Sequence, residues 1–376
     1  MRGIVLSTTA VILAASLAFA ASRMGWHLHA LFMLGVLLGA VLYLARFGFA
    51  SAYRNLFLRG DTTGIRAQLM MLLTTTLLFA PALAVGSFYG KSVTGAVAPF
   101  STQVVAGAFL FGIGMQLGGG CGSGTLYTLG GGSLRMVITL AAFIAGSFVA
   151  SLHMEWWQDL PSFGIVSPRQ HIGWATATIL QTAVLGSAYL LLSRNTDGTP
   201  AAVTQWRNLF SSPWSLMQGA LALAILNFAT LIVSGHPWTI TWAFTLWGAK
   251  TAMLMGWSPD AHAFWQGGFQ QAALANGILR DDTSLMDIGI ILGALLAALR
   301  SKRLAWTWQA SAGAVAASLA GGLAMGYGAR IAFGCNIGAF FSGAASLSLH
   351  GWLWIAAALA GTWVGIRLRP KFGLIN

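Results

Sequence analysis

The chain is built from a succession of long apolar runs that are almost free of charge. They fall near residues 4–22, 31–45, 67–86, 103–117, 134–152, 172–193, 214–234, 286–299, 305–325 and 351–366. Of its residues 57% are hydrophobic and only 7% carry charge, against about 25% charged in an ordinary soluble domain. The mean hydropathy of +0.73 points the same way. The solvent for such a chain is a bilayer. There every backbone N–H and C=O must be satisfied within the protein, so spans are helices or closed barrels. The runs are too long and too continuously apolar for the alternating strands of a barrel. The expected fold is therefore all-α and polytopic. Several runs are shorter than the roughly 20 residues of a full span. The stretch 236–280 mixes Trp with His236, Lys250, Asp260, His262 and Gln266, and re-entrant or interfacial helices are expected there.

The few charges carry topology. Lys and Arg number 20 against 8 Asp and Glu. In a soluble protein that excess would suggest nucleic acid. In a membrane protein it marks cytoplasmic loops, so no nucleic-acid partner is expected. Arg46, Arg54, Arg59 and Arg66 crowd one loop, Arg194 and Arg207 flank another, and Arg300, Lys302 and Arg303 mark a third. Arg367, Arg369 and Lys371 place the C-terminus on the cytoplasmic side as well. The segment 153–163, HMEWWQDLPSF, holds acids and a Trp pair and suits the opposite face, as does Lys91. Arg135, after a GGGS run, is assigned to a loop end. The first residues resemble a signal peptide, but Ile4–Ala21 is long enough to span, and an uncleaved first helix over 1–28 is the reading adopted.

Two cysteines exclude a disulfide scaffold. The chain also lacks CxxC, HExxH and Walker A patterns, and its seven His do not form a spaced ligand set. No metal site, haem or other cofactor is expected, and no catalytic set. What the sequence does contain is a repeat. Residues 107–124 read GAFLFGIGMQLGGGCGSG and residues 321–338 read GGLAMGYGARIAFGCNIG. A constant offset of 214 pairs Gly107 with Gly321, Gly112 with Gly326, Gly114 with Gly328, Gly120 with Gly334, Cys121 with Cys335 and Gly124 with Gly338. Internal duplication with a site at the repeat interface near the bilayer midplane is a transporter signature. It divides the chain into an added segment 1–28 and halves at 29–195 and 196–376.

Gly107, Gly112 and Gly114 are spaced as small residues that let helices approach closely. The run around Cys121 is too glycine-rich for a helix interior, at about 1 kcal/mol per Gly relative to Ala. It is expected to break a membrane helix in two. Such breaks are tolerated where protein buries them or a polar cavity receives them, and they free backbone N–H groups for an anion. A neutral thiol adds a weak S–H donor and a polarisable sulfur where a carboxylate would repel an anion. Arg330, five residues before Cys335, reads as an anion attractor. Lys250 stands between an intramembrane role and snorkelling. His236 reads as a helix-start residue that is also a candidate contact. Asn336 either donates to an anion or caps the following half-helix.

At these residues the chain resembles the YeeE/YedE family of bacterial membrane proteins, the sulfur-transport family that includes thiosulfate transporters. The resemblance rests on GGCGSGTL at 119–126, GCNIGAFFSG at 334–343, RFGFASAYRNLFLRGD at 46–61 and SGHPWTITWAFTLWGAK at 234–250. It implies a bacterial inner-membrane protein of roughly nine or more helices with two-fold pseudosymmetry, in which substrate passes a constriction by contact with cysteine thiols. Cys121 and Cys335 carry over to that role, with Gly120, Gly122, Ser123, Gly124, Gly334 and Gly338 around them. The resemblance also implies a small cytoplasmic sulfur carrier of the TusA type as a partner. One departure is Gly48, where family members often have a cysteine in an RFCF-like stretch. The expected function is a permease importing a small sulfur-containing anion, first of all thiosulfate. The rivals are a membrane sulfurtransferase carrying a Cys persulfide, transport of a selenium species or sulfite on the same scaffold, and a membrane scaffold with idle cysteines.

Overall fold

A computed structural model describes residues 2–193, 213–308 and 311–376, with residues 2–8 described in backbone only. Arg194 and Arg207 lie outside the described residues. Among the described residues, nine segments are long and apolar enough to cross a membrane, and the chain is a helical multi-pass membrane protein. In chain order the helices are α1 (Arg2–Met24), α2 (Trp26–Ala45), α3 (Phe49–Arg59), α4 (Thr63–Val85), α5 (Thr102–Gly118), α6 (Gly122–Gly130), α7 (Arg135–Leu152) and α8 (Met154–Gln158). There follow α9 (Arg169–Ser193), α10 (Leu216–Ser234), α11 (Thr241–Leu254), α12 (Ala263–Gln266), α13 (Gly268–Ala275), α14 (Asp282–Arg300) and α15 (Ala312–Ile331). A π-helical turn (Asn336–Ser342), α16 (Gly343–Ala345) and α17 (Leu349–Leu368) complete the order.

The apolar runs become helices because their backbone has no other partner in lipid. The run at 305–325 is an exception at its start, since α15 begins only at Ala312. The segment before it pairs with the loop after α6: Thr307 N–H donates to the Gly132 carbonyl (3.1 Å) and Leu134 N–H to the Thr307 carbonyl (3.2 Å). The stretch 236–280 resolves into the short helices α11 to α13, with 3-10 turns before α12 and after α13. Two small antiparallel pairings, Ser87–Phe88 with Lys91–Ser92 and Pro99–Ser101 with Ser162–Ile165, are the only strand ladders among the described residues.

The centre is made of α5 and α15, flanked by α17 and α7. α5 and α15 run antiparallel with backbones nearly touching. A methyl group on Gly107 would stand 2.5 Å from the Gly328 carbonyl oxygen, and one on Gly114 would stand 2.7 Å from that of Gly321. The offset of 214 maps Gly107 onto Gly321 and Gly114 onto Gly328, so this contact set maps onto itself. A two-fold rotation relating the two stretches would produce that register. Around this pair, α2 and α14 pack side by side in the same direction. A methyl on Gly289 would meet the Phe32 carbonyl oxygen at 2.8 Å and the Val36 nitrogen at 3.0 Å. α1 lies outside the centre, against α2 and α14, through Ala21, Leu28, Phe32, Leu285 and Leu292.

This packing makes a testable statement. In Gly328→Ala the added methyl meets the Gly107 carbonyl and, at 2.9 Å, the Phe111 nitrogen. Neither backbone can rotate away, and overpacking of this kind costs about 1–3 kcal/mol. Gly186, on α9, has nothing within 4 Å of the same methyl. Detergent-solubilised Gly328→Ala should melt several degrees lower than the parent, and Gly186→Ala should melt with it. Equal melting of all three would contradict the close approach.

Candidate functional site

The first helix break lies between α5 and α6. Gly119 turns the chain with φ 88, and Cys121 takes an extended conformation as the N-cap of α6. Its carbonyl accepts the Thr125 N–H at 2.8 Å and the Thr125 hydroxyl at 2.9 Å. The thiol lies 3.4 Å from Ser123 Oγ, and the N–H groups of Gly124 and Phe49 face the sulfur.

The severed end of α5 leaves carbonyls that water cannot reach. Arg369 donates to the Gln116 carbonyl (2.7 Å), Arg135 to that of Leu117 (2.9 Å), and Thr139 Oγ1 to that of Gly118 (3.2 Å). Two cations thus sit at the negative end of the helix dipole. Arg135, which the sequence places at a loop end, is one of these caps, and its Nε also donates to Ser318 Oγ at 2.7 Å.

The second break follows α15. Phe333 (φ 59) and Gly334 (φ 146) turn the chain sharply. At Gly334 a side chain is excluded twice, by that φ and by the Ala339 nitrogen 2.8 Å from where its Cβ would be. Cys335 then opens the π-helical turn, and its carbonyl accepts N–H bonds from Ala339 (3.0 Å) and Phe340 (3.3 Å). The N–H groups of Ile337 and Gly338 face the Cys335 sulfur. π-Helical turns are rare and concentrate at functional positions.

The two breaks meet. A methyl on Gly122 would stand 3.2 Å from Cys335 Sγ and 3.5 Å from Ile240 Cγ2, so bare backbone of one break lies against the thiol of the other. Both cysteines are free and buried. Gly120 and Gly124 pack within the first break, where a methyl on Gly124 would stand 3.6 Å from Cys121 Sγ. Gly338 packs on Thr239, whose Oγ1 would be 3.0 Å from a methyl there.

Buried polar groups hold these pieces in place. Asn336 Nδ2 donates to the Tyr53 hydroxyl at 3.2 Å, tying the π-turn to α3; its Oδ1 has no partner among the described residues. Asn227 on α10 donates to Ser342 Oγ (3.2 Å) and accepts the Trp238 N–H (2.8 Å), while Ser342 Oγ donates to the Trp238 carbonyl (2.9 Å). That node fixes the 235–240 turn, and with it Thr239, against the second break.

A cavity opens on either side of the meeting point. One, of about 500 Å³, is lined by His236, Thr239, Trp242, Arg280, Asp281, Asp282 and Arg330 among others. The other, of about 300 Å³, is lined by Tyr43, Arg46, Tyr127, Ser133 and Arg303 among others. Asp281 and Asp282 stand at the start of α14 and Arg303 just past its end. At 1.5 Å rise per residue its 19 residues separate the two cavities by about 28 Å. The first cavity reaches the cysteines through Thr239 and Gly338. The second is lined by Tyr127, whose hydroxyl would lie 3.6 Å from a methyl on Gly48.

The predicted ionisable residues divide. His236 and Arg330 both line the first cavity. His236 Nε2 lies 3.7 Å from Asp282 Oδ2. Arg330 Nε has no hydrogen-bond partner among the described residues, and its guanidinium sits 5.2 Å from the Phe264 ring centre. Lys250 is not brought to the cysteines. Its Nζ donates to the carbonyls of Leu274 (2.8 Å) and Asn276 (2.7 Å), closing the end of α13 and bracing the cavity wall. Sequence reasoning missed Thr239, Tyr53, Tyr127 and Asn227. Of these, Thr239 and Tyr53 lay inside motifs already quoted, and Asn227, a lone amide in an apolar run, also had a signal.

Comparison with known proteins agrees with this architecture. The chain is 26% identical over 350 residues to the thiosulfate transporter TsuA of Spirochaeta thermophila, covering 88% of this chain and 96% of that one. It is 24% identical over 359 residues to the thiosulfate transporter TsuA of Escherichia coli, covering 90% and 94%. It is 32% identical over 161 residues to the probable transporter YedE of Escherichia coli, covering 42% of this chain and only 39% of that relative. Residues 44–364 match the family described as Sulphur transport, and the chain belongs to that family.

Proposed function

We propose that this protein imports a small sulfur-containing anion across the bacterial inner membrane, with thiosulfate the first candidate, past Cys335 and then Cys121. The observation that carries the reading is the packing of Gly122 backbone against Cys335 Sγ, in a bundle with a cavity at either end of α14. The two thiosulfate transporters matched along nearly their whole length support the choice of substrate. The anion collects in the cavity at Arg330, whose buried Nε is free to bind it. It then meets the N–H groups of Ile337 and Gly338 and the Cys335 thiol, passes bare Gly122, and meets Cys121 with the Ser123 hydroxyl and the Gly124 and Phe49 N–H groups. Neutral S–H donors and backbone dipoles bind an anion without holding it permanently, which conduction through successive stations requires. Arg46 and Arg303 draw it into the second cavity, which the positive-inside rule assigns to the cytoplasm together with the C-terminus.

In this reading the halves 29–195 and 196–376 are inverted copies, each giving one thiol, and 1–28 is an added helix. Position 48 stands beside Tyr127 on the same line, so a family cysteine there would be a third station; in this chain two suffice. A TusA-type carrier would receive the anion at the cytoplasmic cavity.

Uptake of radiolabelled thiosulfate by cells lacking their other sulfur importers tests the reading. The intact protein should restore uptake. Cys121→Ala and Cys335→Ala should each lower it about tenfold or more, the effect of losing about 1.4 kcal/mol at the barrier. Full uptake by both variants would remove the thiols from the mechanism, and competition by selenite or sulfite but not thiosulfate would reassign the substrate. A persulfide found on either cysteine by mass spectrometry would favour sulfur transfer instead.

Gly122→Ala offers an independent check. Its methyl points at Cys335 Sγ from 3.2 Å, and a thiol can shift slightly, so the fold should survive with an unchanged melting temperature. The passage narrows, and uptake should fall with the protein intact. Normal uptake would place the route elsewhere.

A further inference from the structure

Asp287 is an acidic residue within α14 that plays no part in the site described above. It is fully buried, and neither carboxyl oxygen has a hydrogen-bond partner among the described residues. An ionised carboxylate in that position lies uncompensated in a low-dielectric interior, and the acid form leaves its O–H unpaired. An ionisable side chain at membrane depth is rare and marks an ion or proton pathway.

Its place on the helix is informative. Residues three and four apart share one face. Thr283, four residues before Asp287, lines the cavity that holds Arg330 and His236. Ile291 and Ala294, four and seven residues after it, meet Gly130 of α6. Asp287 therefore stands one turn deeper than the cavity wall, on the stripe facing the helix that Cys121 begins.

Resting on the import reading, we propose that Asp287 is the proton carrier of this transporter: it takes a proton from the Arg330 cavity, travels through the cycle as the acid while the anion passes, and releases the proton to the opposite cavity. Only an O–H bond forms and breaks. The ionisable groups on the elements packed against α14 leave the carboxylate without a fixed counter-charge. α2 contributes His27, His29 and Tyr43, toward its ends. α1 contributes Arg23, which lies over Phe19. α6 contributes Tyr127 and leads back to Cys121. Lys250 of α11 is committed to two carbonyls. On the cavity side stand Arg280, Arg330, Asp281 and the His236–Asp282 pair. Asp281 is held as the cap of α14 by the Ser284 N–H and the Trp242 indole. A dianion enters a negative cell interior against the potential, and an accompanying proton offsets part of its charge.

The full-length protein in liposomes loaded with a pH-reporting dye tests this directly. Labelled thiosulfate added outside should acidify the interior in step with label uptake, and an outside-acid gradient should raise accumulated label about tenfold. Asp287→Asn, close in shape, should abolish both the acidification and the response to the gradient, and Asp287→Glu should recover part of each. Label uptake by the parent without acidification overturns the coupling and leaves import standing; so does uptake driven by a sodium gradient alone, or coupling undiminished in Asp287→Asn. If no label enters under any gradient, import falls and the coupling with it. Melting temperatures of both variants are compared with the parent's, either folded variant suffices to test the residue, and parent uptake without acidification overturns the proposal whether or not they fold.

Discussion

Breaking a helix inside a bilayer leaves polar backbone ends that no water can satisfy, and the rest of this structure is arranged around that constraint. At the first break the carbonyl side is closed by Arg369, Arg135 and Thr139, reaching Gln116, Leu117 and Gly118 from two other helices. Cations at a helix C-terminus also oppose its dipole favourably. The carbonyls are thus occupied by fixed groups, and the chain resumes at Cys121, where α6 begins. Arg369, which marks topology in the sequence, thus joins Arg135 in capping a membrane helix that glycine has weakened.

The two breaks solve the problem differently. The first restarts as an ordinary helix with a serine beside its thiol. The second restarts as a π-turn, clamped by Asn227, Ser342 and Trp238 on one side and by Tyr53 on the other. Buried networks of this kind give a rigid position at the cost of having every member in place. That rigidity brings Gly122 to Cys335 without a side chain between them. The close glycine packing of α5 on α15 serves the same end, since it sets the depth at which both breaks occur.

Charge around the site is mixed. The larger cavity holds Arg280 and Arg330 with Asp281 and Asp282, so local placement of one buried guanidinium matters more there than net charge. The smaller cavity carries Arg46 and Arg303 without an acid. Asp287 belongs to the interior between them.

Much of this was legible along the chain. The apolar runs dictated membrane helices because lipid leaves the backbone no alternative partner, and the glycine clusters at Cys121 and Cys335 announced breaks because helix propensity is local. The offset that superposes the only two cysteines is likewise a property of the string. Contacts between distant segments are not. Asn336 and Tyr53 are 283 residues apart, and the motif around that tyrosine does not say which distant amide it meets. Lys250 closes the end of a short helix, Arg135 caps a broken one, and Asp287 is left without a partner among the described residues, only because of which helices pack together. Local backbone preference and hydrophobicity were written in the sequence; which polar groups find partners across the bundle, and which do not, was decided by tertiary packing.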